Sequence, residues 1–239
     1  PVISSACPAV VRLIRVRFPD LCEHVLPLKS PMETAAAIAK KEAAEKTGLP
    51  ADKIGCFFLT PCPAKVTDIK MPLGIEKSMV DGAIAISEVF PELSHVMDHL
   101  ESIEPIANSG IIGVGWSTSG GESAALLNEK YLAADGIENV IRVLEEIEDE
   151  RIGELDFIEL NACAGGCVGG VLCVENPYVA KARIQRLRKY LPVSQNHLRG
   201  GPVPEVMEWN TNLEFSDVLT LSSDPVSYTH LRAHETGRN

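Results

Sequence analysis

The chain has 239 residues, a formal net charge of −11, 45% hydrophobic and 23% charged residues. That length buries a substantial core in one domain or two lobes, and the negative charge excludes a nucleic-acid-binding role, because a phosphate backbone would be repelled. No apolar run reaches the length of a membrane span and no leader pattern opens the chain, so the seven cysteines predict a reducing, cytoplasmic compartment and cofactor chemistry.

In chain order, Val2–Ser5 reads as the end of a strand, followed by Ala6-Cys7-Pro8 and an apolar–basic helix from Ala9 to Phe18. A thiol at a strand-to-helix junction sits near unpaired backbone N–H groups, which favour thiolate, and Pro8 suits a first helical position. Residues 19–29 form a connection. Ser30-Pro31-Met32-Glu33 reads as a capping box opening an Ala-rich helix that stops at Gly48. Ile54–Thr60 is a buried-strand pattern ending at Pro61-Cys62-Pro63-Ala64-Lys65, the second thiol at a strand end.

Met79–Ile86 reads as a further strand, with Ser87 capping a helix over Glu88–Glu101. The glycine-rich passage Gly110–Gly121 leads into an expected helix Glu122–Leu132. It lacks the Gly-Lys-Ser/Thr ending of a phosphate-cradling loop, so it is a weak sign of nucleotide binding. Asp135 and Glu138 open an amphipathic helix with Ile137, Val140, Ile141, Val143, Leu144 and Ile147 on one side. Phe157–Leu160 is a buried strand that delivers Cys163 and Cys167 among four glycines, and Asn176-Pro177 caps a basic helix running to Leu191.

Strands alternating with helices predict an α/β fold of mostly parallel sheets with flanking helices, in one domain or in two lobes with a metal cluster between them. Such folds bind ligands beyond the carboxyl ends of their strands. Cys7, Cys62, Cys163 and Cys167 all fall there, and four thiols suit an iron–sulfur cluster or a zinc ion. Two of the four are singletons far apart in sequence, unlike the paired knuckles of structural zinc sites.

The three cysteine stretches, in this order, resemble the active-site domain of iron-only (di-iron) hydrogenases. They stand as Ser4-Ser5-Ala6-Cys7-Pro8, Thr60-Pro61-Cys62-Pro63-Ala64-Lys65-Val66-Thr67-Asp68 and Glu159-Leu160-Asn161-Ala162-Cys163-Ala164-Gly165-Gly166-Cys167-Val168-Gly169-Gly170. The Lys29-Ser30-Pro31 turn and the Trp116–Gly121 loop have family counterparts. The resemblance covers residues 1–191 and implies an H-cluster: a 4Fe-4S cubane joined through a cysteine to a two-iron subcluster with CO and cyanide ligands. It implies that Cys7, Cys62, Cys163 and Cys167 hold the cubane, Cys167 bridging, and that Lys65 donates to a cyanide. Ser30, Pro31, Trp116, Thr60 and Asn161 are expected around the two-iron unit.

The departures from the family pattern carry the functional expectation. The family's proton-passing cysteine is Ala6 here and its relay serine falls at Leu26, neither of which can relay a proton. Two cluster-packing methionines become Thr60 and Asn161, the Glu of the second motif shortens to Asp68, and the third motif ends in Val171-Leu172-Cys173-Val174. The pattern resembles the family's sensory branch, which implies hydrogen or redox sensing with little turnover of protons and electrons to H2. It also implies an iron–sulfur domain or ferredoxin as electron partner and a PAS-type signalling module in the full-length chain. The alternatives are a competent hydrogenase with another proton path, in which Cys173 and Thr60 carry little weight, and a non-enzymatic iron–sulfur scaffold. Retention of Lys65 argues against the scaffold, since a bare cubane has no cyanide for it.

Several features have plainer readings. Cys22, Cys56 and Cys173 are small buried hydrophobes, His95 and His99 are helix-surface histidines, and Ser119–Ser123 is a packed helix start. The last helix presents a solvated basic face, with donor docking as its functional reading. Glu159 is expected as a buried acid near the cluster. Residues 192–224 are expected to connect to a further module. Residues 225–239, which resemble read-through of a sequencing adapter, are expected to be non-native, and the chain reads as an N-terminally truncated fragment.

Overall fold

The computed structural model describes residues 1–101 and 109–192. The expected connector beyond Pro192 and the tail 225–239 lie outside the described residues. Two parallel sheets organise the chain. The first has strand order β1-β5-β4, from β1 (Val2–Ile3), β4 (Tyr131–Asp135) and β5 (Phe157–Asn161). In β5, the middle strand, Phe157, Ile158, Glu159 and Leu160 are all buried, as expected of a strand covered on both faces. Its register is Val2↔Phe157 on one side and Tyr131↔Phe157 on the other.

Helix α1 (Pro8–Arg17) buries Val10, Val11 and Ile14, and the amphipathic α7 (Ile137–Glu148) buries Val140, Leu144 and Ile147. Helix α7 packs on β4 and β5 and touches α1. Each fully buried aliphatic side chain contributes roughly 1.5–3 kcal/mol, so this layer forms the main core.

The second sheet pairs β2 (Phe57–Thr60) with β3 (Gly82–Ala85), joined through α3 (Pro63–Lys70). Phe58 packs against Met32, Ala36 and Val80, tying this sheet to α2 (Pro31–Thr47). The Ser30 hydroxyl caps α2 by accepting from the Glu33 amide at 3.4 Å, and Gly48, at φ +70°, ends it. Only half of the expected capping box forms. The Glu33 carboxylate does not return to Ser30; it accepts from the Ser78 hydroxyl and from the Met79 amide at 2.7 Å, pinning the loop before β3 to α2.

Elsewhere the structure departs from the sequence expectations. The expected helix Glu122–Leu132 is a single turn, α6 (Gly121–Ala125), followed by β4. Leu127 at φ +53° and Asn128, whose side chain accepts from the Lys130 amide, turn the chain between them. A third strand beside β5 satisfies an edge that a helix there would leave open. The expected helix Glu88–Glu101 is α4 (Ile86–Met97), which begins earlier because Glu88, rather than a Ser87 cap, reaches back to the Ala85 amide at 3.2 Å. A short α5 (Ile111–Gly115) and the basic α8 (Pro177–Arg188) complete the described elements. Among the described residues no helix is long and apolar enough to cross a membrane.

Candidate functional site

The carboxyl ends of β1, β2 and β5 deliver the thiols. Cys7 is the N-cap of α1 and Cys62 the N-cap of α3, each followed by proline at the first helical position. Proline supplies the required φ there without wasting an N–H, and the positive end of each helix dipole faces its thiol. The two helices are held together by Arg12 of α1 and Asp68 of α3, 3.4 Å apart and largely buried. Burial pushes the Asp68 carboxyl up, with Arg12 opposing.

The third and fourth thiols ride on the turn 163–170, which is clamped from three directions. Gly165 donates its amide to Asp135 Oδ1 at 2.9 Å, at the end of β4. The Ser119 amide donates to Gly165 O and the Val168 amide to Ser117 O, both at 3.1 Å. The Leu172 amide donates to Pro61 O at 3.1 Å, linking this turn to the Cys62 loop. The packing leaves no room for side chains: a Cβ on Gly166, at φ +92°, would lie 2.5 Å from the Ser119 nitrogen, and one on Gly170 2.2 Å from Pro61 O.

Two adjoining cavities result. The first is lined by Cys7, Cys62, Cys163 and Cys167 together with Lys65 and Asn161. The second and larger is lined by Ala6, Pro31, Trp116 and Glu122 and shares Lys65, Asn161 and Cys167 with the first. All four thiols are free. Among the described residues no three His, Cys, Asp or Glu side chains converge tightly enough to share one metal ion. The four thiols instead line one cavity together. Burial, and then the neighbouring Cys62, Cys7, Cys167 and Cys173 sulfurs, push the Cys163 thiol up to about 11. Burial also pushes up Cys167, with Lys65 opposing. Crowded thiols of this kind are relieved when cations replace their protons.

Lys65 sits on the wall common to both cavities. Its Nζ donates to the Ala6 carbonyl at 3.2 Å, and among the described residues no carboxylate lies within ion-pair distance of it. An anion in the cavity therefore suits it. The donor set and the lysine both fit a thiolate-ligated cluster carrying an anionic ligand set.

Pro31, Trp116 and Asn161 line the second cavity as a group. Ser30 and Thr60, expected with them, are not among its lining residues. Ser30 faces a separate small cavity lined by Ser5, Lys29, Glu33 and Asp68. Thr60, fully buried, accepts from the Cys62 amide at 3.0 Å and donates to the Cys62 carbonyl at 3.2 Å, shaping the thiol's loop. Glu159 accepts from the Gly120 and Ser123 amides, the Ser123 hydroxyl and Asn161, so it fastens the Trp116–Gly121 loop to β5. His95 on exposed α4 and His99 just past its end bring their rings to 4.7 Å at a 50° tilt, His99 Nδ1 lying 2.7 Å from the His95 carbonyl.

Sequence reasoning missed Glu122. It lines the second cavity, and burial, reinforced by Glu159, pushes its carboxyl up to about 7 against the opposing Ser4 hydroxyl. The signal available was its place directly after the Trp116–Gly121 loop. Asp135 was read as a helix start rather than as the anchor of the thiol turn.

These features define an α/β protein that gathers four thiols and a lysine at the carboxyl ends of parallel strands. A sequence profile for the iron only hydrogenase large subunit, C-terminal domain, matches residues 1–131 and 122–171, and the chain belongs to that family. It is similar to the NADP-reducing hydrogenase subunit HndD of Solidesulfovibrio fructosivorans, 25% identical over 214 residues, covering 71% of this chain and 36% of HndD. Among solved structures it resembles a variant of FeFe-hydrogenase HydA1 from Chlamydomonas reinhardtii, with TM-score 0.57, 17% identity, and 77% of this chain and 65% of that chain covered. A structure described for oxygen inactivation of the H cluster 2Fe subcluster of an FeFe-hydrogenase aligns with TM-score 0.55 and 16% identity over 87% of this chain and 75% of that one. The chain therefore spans about a third of HndD and about two thirds of HydA1.

Proposed function

We propose that this domain binds an H-cluster and reports hydrogen or redox state, with slow turnover of 2 H⁺ and 2 e⁻ to H2. The observation that carries the reading is the pair of adjoining cavities: four thiols line one, and Lys65, Asn161 and Cys167 belong to both. In this reading Cys7, Cys62, Cys163 and Cys167 would hold a 4Fe-4S cubane, and Cys167, which lines both cavities, would also serve a two-iron subcluster with CO and cyanide ligands. Lys65 donates to a cyanide, Pro31, Trp116 and Asn161 surround the unit, and Ser30 and Thr60 support the walls behind it. When bound, the group supplies the redox chemistry that interconverts protons and H2.

The chain's own residues decide how well protons reach it. Ala6 and Leu26 have no transferable proton, so the route that a thiol and a hydroxyl would supply there is lost. Glu122 gives the cavity one carboxyl that exchanges its proton near neutral pH. Ser4 orients it, donating to both carboxylate oxygens at 2.9 and 2.7 Å. A single carboxyl in place of a continuous wire supports slow exchange. It also favours a second reading, a competent hydrogenase that uses Glu122 as its proton path.

The electron partner in this account is an acidic iron–sulfur domain or ferredoxin. HndD is named as a subunit of an NADP-reducing hydrogenase, which supports an electron-carrying partner for a related domain. A PAS-type module in the full-length protein would receive the signal, in the cytoplasm. Anaerobic loading with iron, sulfide and the two-iron unit tests the proposal. About six irons per chain, four from the cubane and two from the two-iron unit, with H2 production well below that of a catalytic relative, is the expected outcome. Substoichiometric zinc and no iron would overturn it, and rapid H2 production would establish the second reading.

A further inference from the structure

Asn161 closes β5 and lies on the wall between the two cavities. Its amide orientation is fixed by its neighbours. Asn161 Nδ2 lies 2.8 Å from Glu159 Oε1, which also accepts the Gly120 amide at 2.9 Å. The other oxygen, Oε2, receives the Ser123 amide and hydroxyl. A carboxylate surrounded by donors takes the NH2 end of an asparagine rather than its carbonyl. Asn161 Oδ1 is thereby turned away from Glu159, and among the described residues no group donates to it. The backbone carbonyl of Asn161 is separately occupied by the Gly136 amide at 3.0 Å.

The other polar groups on the second cavity behave differently. Lys65 is a donor, Glu122 is a carboxyl that exchanges its own proton, and the Ser117 hydroxyl hydrogen goes to the Val114 carbonyl at 3.2 Å. Asn161 Oδ1 is a neutral acceptor that cannot take up a proton at ordinary pH. Such a group stabilises a proton on the atom facing it and does not carry that proton away.

We propose that Asn161 presents Oδ1 as a hydrogen-bond acceptor to a proton-bearing atom of the two-iron unit and holds that atom in its protonated form. The inference rests on the reading of the second cavity as the two-iron site. It pairs opposite chemistries on one wall: Lys65 meets the anionic ligands and Asn161 meets the protonated atom. It also assigns Asn161 a positioning role that a thioether could not fill, because sulfur there is a weak acceptor. A chain with Ala6 and Leu26 where a thiol and a hydroxyl would relay would then keep its proton bound longer.

The test is an infrared pH titration of the protein loaded with the two-iron unit, comparing the native chain with Asn161→Met. Asn161→Ser is measured alongside, in case Met disturbs the thiol turn, and cubane absorption confirms that each variant is loaded. The proposal predicts that the pH at which the CO and cyanide bands interconvert falls by about one unit in both variants, a tenfold weaker hold on the proton. Identical midpoints and band positions in native and variant proteins would overturn it. Absence of CO and cyanide bands in the native protein would instead remove the two-iron reading on which it rests.

Discussion

The Ser4 hydroxyl lies 2.7 and 2.9 Å from the two carboxylate oxygens of Glu122, across 118 positions of sequence. One hydroxyl hydrogen does not offset the burial of that carboxyl, which is why its proton is held up to about 7. A group whose folded pKa lies above its unfolded value stabilises the fold most at low pH. The cost of ionising Glu122 is absent below about 4.5, grows as pH rises, and is complete above about 7, where it is on the order of 3 kcal/mol. In the cluster-free protein, Glu122→Gln should therefore raise the thermal midpoint at pH 8 and leave it nearly unchanged at pH 4.5. A shift of equal size at both values would contradict the burial argument.

Among the described residues, Lys65 is the one cation on the wall that both cavities share. Lys65→Met keeps the length of the side chain and removes its charge. The account expects this variant to retain cubane absorption and to lose most of its CO and cyanide bands after loading. Full retention of those bands would show that the cavity does not rely on the lysine for an anionic ligand.

The turn carrying Cys163 and Cys167 has no space for a side chain at Gly166. Gly166→Ala would force a methyl group to 2.5 Å from the Ser119 nitrogen while the backbone stays at φ +92°. A loss of at least about 2 kcal/mol in unfolding free energy is expected, read by denaturant titration. Gly48→Ala provides a comparison, since φ is +70° there and nothing lies within 4 Å of the added Cβ; its cost should be smaller.

Helix α8 carries Lys181, Arg183, Arg186 and Arg188 and no acidic residue, on a chain of net charge −11. Its first residue, Pro177, faces the thiol turn: a Cβ added on Gly165 or Gly169 would lie 3.6 or 3.4 Å from the Pro177 Cβ. Arg183 pairs with Glu175, whereas Lys181 and Arg186 have no ion-pair partner among the described residues. Lys181→Glu with Arg186→Glu should slow reduction by an acidic ferredoxin about tenfold at low ionic strength, with the difference vanishing near 1 M salt. Unchanged stopped-flow rates at low salt would place the electron entry elsewhere.

Much of this was legible in the sequence because the site is made at strand ends. Recurrence of a thiol after Ile3, Thr60 and Asn161, each with proline or glycine behind it, predicted where the cysteines converge. The strand β4 was not legible. Tyr131-Leu132-Ala133-Ala134-Asp135 has helix-compatible composition, and only the open edge of β5 makes it a strand. Glu122 was hidden for the same reason: its position depends on α6 ending after one turn. The Glu33 carboxylate shows the converse limit, since its sequence spacing from Ser30 fits a capping box while tertiary contacts with Ser78 and Met79 take the side chain elsewhere.

The most direct test of the central claim is infrared spectroscopy of the protein loaded anaerobically with iron, sulfide and the two-iron unit, recorded under argon and then under hydrogen. The account predicts CO and cyanide bands that shift when hydrogen is admitted, with little H2 turnover in the same sample. Cubane absorption without any CO or cyanide band would contradict it and leave an iron–sulfur scaffold.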